Sequence, residues 1–394
     1  MSKRPPRIAL MLDLQWPYKR HAGVFAGTQK YAEEQGWHSI IDEFAHETLA
    51  GSRTKNAAYD GIIARASHLL VKRAARAGVP VVNVWASSPS YDKLPGVFPD
   101  YSAVGRQCAE HLLARGFRNF ATLTPRKSHA QELVVREFVR VVRAAGFQCL
   151  MEDIPQNPWR NLETWRRTER LLEQCVQAWQ PPLGAYFAHE EIGRMAVQAC
   201  HRRGLKVPAE IAVVAGQNEE ILCEHPRPSL TSMELGFERV GYEAARLLHS
   251  LMDGNSAPTD PVLLPPVGLI VRESTDFYAV KDELVAAALA FISSHSHRPI
   301  GQDDVSAAVG AETRTLQNRF RKFLGRPVVA EIRRVRIERA KRELTQSDKP
   351  LAEIARDVGF GEVMRMYEVF RRELQTTPGR FRKQRRLDSG GEVS

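Results

Sequence analysis

Two stretches decide the reading of this chain: QDDVSAAVGAETRTLQNRFRKFL at 302–324 and PLAEIARDVGFGEVMRMYEVFRREL at 350–374. In the first, a short helix carries Val305, Ala308 and Val309 and stops at Gly310. Glycine adopts the positive φ that ends a helix without a side-chain clash. A second helix follows, with Leu316, Phe320 and Phe323 at the spacing of an amphipathic core stripe. The second stretch repeats the plan. Pro350 opens a short helix with Leu351, Ile354, Ala355 and Val358, Gly359-Phe360 turns the chain, and Met366, Val369 and Phe370 line the next helix. One helix-turn-helix pattern arises often by chance, whereas two in tandem are specific.

Between the two, 328–344 reads as one basic helix with Ile332, Val335, Ile337, Ala340 and Leu344 on its apolar side. A helix of about 25 Å can hold two recognition helices about 34 Å apart, one turn of a DNA duplex. The charge agrees. Residues 279–394 hold 23 Lys/Arg against 16 Asp/Glu, in a chain of formal net charge +10. A surplus concentrated in the helical part is what a phosphate-contacting module requires.

By spacing, Arg314, Gln317 and Asn318 face outward from the first recognition helix, with Arg321 placed for phosphate. Arg314 suits guanine O6/N7 and Gln317 suits adenine N6/N7. Met364, Arg365 and Glu368 face outward from the second helix. Glu368 would accept from cytosine N4 or repel phosphates, and a solvated helix face is its plainer alternative. The stretch resembles the DNA-binding domain of AraC-type transcription regulators. The likeness rests, in order, on Leu316, Arg319-Phe320, Gly325, Arg336, Ala340, Leu344, Ile354-Ala355, Val358-Gly359-Phe360, Phe370, Thr377-Pro378 and Phe381-Arg382. Asn318 stands where that family usually has arginine, and Arg365-Met366 where Tyr-Phe is common. These departures bear on the bases read, not on the fold. The resemblance implies double-stranded DNA, at operator or promoter half-sites, as a partner.

Upstream the pattern changes. Strands at 7–14, 39–44, 59–64 and 79–84 alternate with helices at 22–35 and 69–77, and Asp100 precedes a helix at 101–114. The alternation then restarts, with strands at 120–124, 148–152, 184–188 and 211–216 between helices at 132–145, 162–179 and 191–203. A helix at 237–252 and a closing strand at 267–272 complete it. Such alternation gives parallel sheets covered on both faces. The expected fold is a bilobed α/β domain over 1–275, its lobe boundary near 117 and its return crossings near 230–265. An all-α domain over 276–386 with two helix-turn-helix motifs follows, starting with a helix at 278–298, and 387–394 is expected to be a disordered tail.

This α/β part resembles the sugar-binding effector domain of LacI-type repressors, a type I periplasmic-binding-protein fold. The resemblance is carried by Asp60-Gly61-Ile62-Ile63, Pro80-Val81-Val82, Asp100, Arg136 ahead of Gly146-Phe147, Pro208 before Ile211, and 263–267. Its fusion to an AraC-type reader is similar to bacterial xylose-operon regulators, notably over 217–221, 241–249 and 272–276. That resemblance implies a sugar effector, D-xylose, together with a homodimer and, for an activator, contact with RNA polymerase. A different sugar or derivative, or a lobe pair that only dimerises, is the alternative.

Ligands in such sheets bind beyond the carboxyl ends of the strands. A sugar needs flat aromatic faces for its ring and carboxylate, amide or guanidinium groups for its hydroxyls. Near the strand ends stand Trp16, Tyr18, Trp85, Asp100, Arg136, His189, Glu190, Gln217 and Asn218. Arg136 corresponds to an arginine that contacts ligand in the LacI-type family, with a surface arginine as the alternative. Asp100 is either a ligand or a helix cap. Trp16 and Trp85 are either ring platforms or core. Gln217 occupies a position where the xylose regulators have an acidic residue, and its amide donates as well as accepts.

Other classes of function find little support. Five cysteines lie far apart with no CxxC, which reads as buried reduced thiols in a cytoplasmic protein. The apolar run at 8–12 is too short for a signal peptide and reads as a strand, and no 18-residue apolar run is present, so no membrane partner is expected. His295 and His297 read as solvated rather than metal-bound, no cofactor is implied, and no HExxH, GxSxG, GxGxxG or P-loop marks a catalytic centre.

Overall fold

The structure is a computed structural model that describes residues 4–13, 19–51, 57–125, 128–155, 157–280, 282–347 and 349–387. Trp16, Tyr18 and the 388–394 part of the expected tail lie outside the described residues.

The first lobe alternates strands and helices: β1 (Arg7–Met11), α1 (Lys19–Gln35), β2 (His38–Ile41), α2 (Ala45–Thr48), β3 (Gly61–Ala64), α3 (His68–Ala77) and β4 (Val81–Asn83). Its parallel sheet has the order β2-β1-β3-β4. After β5 (Val97–Pro99) and α4 (Tyr101–Ala114) the second lobe repeats the plan. It comprises β6 (Asn119–Pro125), α5 (His129–Ala144), β7 (Cys149–Ile154), α6 (Leu162–Ala178), β8 (Leu183–Phe187), α7 (Glu190–Arg202), β9 (Ile211–Ala215) and α8 (Glu220–Glu224). The order here is β7-β6-β8-β9, so both sheets reverse direction beside their first strand. Such a reversal opens a crevice at the strands' carboxyl ends.

The chain returns through β10 (Ser232–Glu234), α9 (Phe237–Met252), β11 (Val262–Leu264) and β12 (Gly268–Ile270). β11 pairs with β5, and β10 pairs antiparallel with β12. Val104, Cys108 and Leu112 of α4 share a core with Val134, Phe138 and Val142 of α5. Helix α4 packs closely on α5 of the second lobe, with Gly105 against Val134 O. The expected strand at 39–44 ends at Ile41, because Asp42 turns the chain, accepting from Phe44 N–H and Thr48 Oγ1.

The C-terminal part is helical: α10 (Glu283–His295), α11 (Gln302–Ala308), α12 (Thr313–Leu324), α13 (Val328–Gln346), α14 (Leu351–Asp357), α15 (Val363–Leu374) and α16 (Pro378–Leu387). The helix expected from 278 starts later, where the Asp282 carboxylate caps it by accepting from Val285 N–H at 3.1 Å. Tyr278 instead packs ahead of the helix into the core of the first motif. α13 serves both motifs. Its Val328 and Ile332 pack with Leu316 and Phe320, and its Ile337, Ala340 and Leu344 pack with Ile354, Met366 and Phe370. Among the described residues no helix is long and apolar enough to cross a membrane.

Candidate functional site

The crevice between the lobes is built from loops that leave the strand ends. On the first-lobe side, the buried Asn83 amide accepts from Trp85 N–H and Ala66 N–H and donates to Trp85 O, fixing the turn beyond β4. This holds the half-buried Trp85 ring among cations. The Arg20 guanidinium lies 4.3 Å and that of Arg65 5.5 Å from the ring centre, within cation–π range. The buried His21 ring sits 4.8 Å from Trp85. Burial, reinforced by Arg20, pushes His21 down to about 4, so it is neutral at physiological pH.

On the second-lobe side, Glu190 opens α7 with 3% of its surface exposed. Its Oε1 accepts from Gln217 N–H at 2.6 Å and Glu219 N–H at 3.0 Å. Burial raises this carboxyl to about 7 although the amides favour its charged form. Gly216, at φ +73°, passes so close that a Cβ would strike the Glu190 carboxylate. Glu190 is therefore the clamp of the loop after β9, a role its sequence position did not reveal. Gln217 gives its backbone to the clamp and keeps a half-buried side chain.

Beside the clamp, His189 meets Gln131 of α5 and packs edge-on to Trp159, ring centres 5.6 Å apart. Burial, then the field of Arg20, lowers His189 to about 4. Gln131 Oε1 and Thr124 Oγ1 are buried without a hydrogen-bond partner among the described residues. Buried polar atoms in native folds are nearly always paired, so the Gln131 Oε1 atom beside His189 is suited to a ligand's hydroxyl group or to water. Lys19, at the start of α1, ties the lobes together. Its N–H donates to Glu219 Oε1 at 2.7 Å, and its Nζ pairs with Glu234 at 2.6 Å and Glu220 at 3.2 Å.

The sequence-derived residues divide accordingly. Trp85, Glu190 and Gln217 stand at the crevice. Asp100 caps α4, its Oδ1 accepting from Ala103 N–H at 3.0 Å while its own N–H bonds Leu264 O. Arg136 lies on the exposed side of α5 next to Glu137, whereas Gln131 and Val134 are on the buried side. The arginines that lie against Trp85 are Arg20 and Arg65. Sequence reasoning passed over Lys19, Arg20, His21, Arg65, Gln131 and Trp159. Only their positions one or a few residues beyond a strand, or at a helix start, could have flagged them.

On the reading surface, Arg314, Asn318 and Arg321 are exposed on α12 while Leu316 and Phe320 are fully buried. Gln317 is half-buried, and its Nε2 donates to Gln302 Oε1 of α11 at 2.6 Å, so it is held within the motif. On α15, Arg365, Glu368 and Met364, the last 64% exposed, point away from Met366 and Phe370. The two motifs are joined stiffly. The buried Arg336 of α13 donates to the carbonyls of Ser296, Arg298 and Ile300. Gly359 (φ +89°), in the turn of the second motif, passes against the same Ser296 carbonyl, where a Cβ would clash.

Comparison with known proteins gives two domain matches: a periplasmic binding protein-like domain over residues 109–275 and a helix-turn-helix domain over 305–384. The xylose operon regulatory protein of Escherichia coli K12 is 28% identical over 97% of this chain and 98% of its own length. The protein of the same name from Haemophilus influenzae is 26% identical over 97% and 99%. Among solved structures, the xylose-binding transcription activator xylR matches with a TM-score of 0.58 at 25% identity, over 98% of this chain and 99% of that one. The transcriptional regulator CelR in complex with cellobiose, at 24% identity and TM-score 0.56, shares the fold of the α/β part, over 69% of this chain and 85% of its own.

Proposed function

We propose, for a chain that is a sugar-responsive DNA-binding transcription regulator and not an enzyme, that a pentose, D-xylose or a close relative, is the effector held in the crevice. The observation that carries this is Trp85 with Arg20 and Arg65 beyond the strands of one lobe, and the unpartnered Gln131 Oε1 beside His189, which feels the field of Arg20, beyond those of the other. Trp85, Gln131, His189 and Gln217 are the residues assigned to the sugar, with Glu190 holding the loop that presents Gln217. Trp16 and Tyr18 complete the expected aromatic set. Gln217 supplies a neutral amide where a carboxylate would favour a hydroxyl-rich ligand, which makes it the position that selects among sugars.

The sensor is assigned to 1–275 and the reader to 276–386. Arg314, Asn318, Arg365 and Glu368 are assigned to bases, Arg321 to phosphate, with Gln317 and Met364 at the edges of the two reading faces. Operation as a cytoplasmic homodimer on adjacent half-sites, with contact to RNA polymerase, accords with the full-length likeness to a transcription activator. In this mechanism sugar binding draws the lobes together and favours one arrangement of the readers over the other.

The test is thermal unfolding against a panel of sugars. Ligand at 100 times its Kd stabilises the bound state by about 2.7 kcal/mol. A shift with D-xylose supports the pentose assignment, a shift with another sugar alone replaces the effector, and no shift with any sugar removes the sugar reading.

A further inference from the structure

A chain of buried and partly buried hydrogen bonds runs from the crevice to the reader, and chemistry fixes its direction. It begins at Asn218, between Gln217 and Glu219, 4% exposed and at φ +63°. Asn218 Oδ1 accepts from Arg272 Nη2 at 2.8 Å and Ser232 Oγ at 3.1 Å, and its Nδ2 donates to Glu234, the partner of Lys19. Arg272 N–H donates to Thr231 Oγ1 at 2.9 Å, and Thr231 Oγ1 lies 2.7 Å from Thr275 Oγ1. Thr275 Oγ1 lies 2.9 Å from His111 Nε2, and His111 Nδ1 lies 3.1 Å from Arg115 Nη1. A guanidinium only donates, so His111 Nδ1 accepts and its proton sits on Nε2. Thr275 then accepts from His111 and donates to Thr231, which donates to Arg272 O at 3.1 Å. Each hydroxyl proton thus has one assigned acceptor, and neighbouring bonds along the line polarise one another.

The far end touches the reader. Arg115 is buried, donates from Nε to Thr275 O at 2.7 Å, and holds its guanidinium 5.5 Å from the ring centre of Tyr278, a member of the first motif's core. Arg115 O accepts from Ala279 N–H at 2.7 Å, and the next carbonyl back, Ala114 O, accepts from Arg326 at 3.4 Å. Alongside this junction a groove of about 1460 Å³ opens between α4 and α13.

We infer that Arg115, His111 and Thr275 are positioning residues that transmit the state of the Gln217–Glu219 loop to Tyr278 and the first helix-turn-helix core. This rests on the sensor reading above. Coupling of two sites requires an element whose arrangement both bias, and a directional hydrogen-bond line ending on a core aromatic is such an element.

The experiment uses the full chain with D-xylose as probe and reads two quantities: sugar binding by calorimetry and amide exchange over 278–295. In the wild type, saturation changes exchange in that segment by at least about fivefold. Thr275→Val, nearly isosteric, keeps sugar affinity but abolishes the change, and Thr275→Ser restores it. If Thr275→Val binds sugar and keeps the wild-type change, the relay is overturned while the sensor reading stands. If the wild type binds no D-xylose, the pentose reading fails, and Asn218→Gly becomes the perturbation, since glycine tolerates the positive φ. It must then alter 278–295 exchange in the wild-type background and leave it unaltered beside Thr275→Val. Equal effects in both backgrounds overturn the relay.

Discussion

Glu190→Gln should stabilise the protein at neutral and alkaline pH. The buried carboxyl has a folded pKa of about 7 against an ordinary 4.5. Between these values the folded state binds more protons than the unfolded state, so the stability contributed at this site falls as pH rises from 4.5 to 7. That gap corresponds to roughly 3 kcal/mol as an upper figure. Glutamine stays neutral, and its amide oxygen still accepts from Gln217 and Glu219 N–H. Urea unfolding followed by circular dichroism, at steps from pH 4.5 to 8, gives the difference between variant and wild type, in which the other titrating groups cancel. The expected result is a gain for Glu190→Gln of about 1–3 kcal/mol at pH 8 that shrinks toward zero at pH 4.5. A difference that is flat across the range, or a variant less stable at pH 8, would refute the assignment of Glu190 as a buried clamp whose charge is unfavourable.

Three further outcomes follow from the same geometry. His189, held at about 4 by burial and by Arg20, contributes stability that is present above pH 6.5 and lost as pH falls toward 4. His189→Gln should therefore flatten acid unfolding between pH 6.5 and 4, measured as the midpoint of a pH titration. Arg336→Met leaves the Ser296, Arg298 and Ile300 carbonyls without their donor, and should lower the stability of the helical part by about 3 kcal/mol. Helical unfolding in urea checks this, and a change under about 1 kcal/mol would show that the motifs do not depend on that joint. Arg314→Ala should relax base preference at one operator position by about 1–3 kcal/mol while leaving the salt dependence nearly unchanged. Binding to a randomised operator library reads both, and unaltered preference would remove Arg314 from the base-reading set.

The reader was the most legible part because its decisive contacts are local. Leu316 with Phe320, and Met366 with Phe370, meet across one helical turn, and the sequence interval already states that they share a face. The parallel sheets were legible for the same reason, since runs such as 211–215 are buried along their whole length. The crevice was not. Glu190 meets residues 27 and 29 positions away, and Trp85 takes its cations from α1 and from the loop after β3. No periodicity encodes such partners. Asp100 shows the converse: its local role as a helix cap was visible, and the structure gives it that role. For Arg136 a matching residue type in a familiar stretch left the helix face open, and the burial of Val134 and Val135 turns it to the exposed side of α5.

Helix α13 gives half its apolar side to each motif core, and Arg336 clamps the junction. The two reading faces are therefore phased like teeth on a single shaft. Adding one residue to the shaft would turn the second face by about 100° about the helix axis, which no repacking of a side chain could undo. Arg314, Asn318, Arg365 and Glu368 are exposed, so substitutions there leave this phasing intact. The spacing between the two faces is thus set by the helix itself and not by any surface side chain.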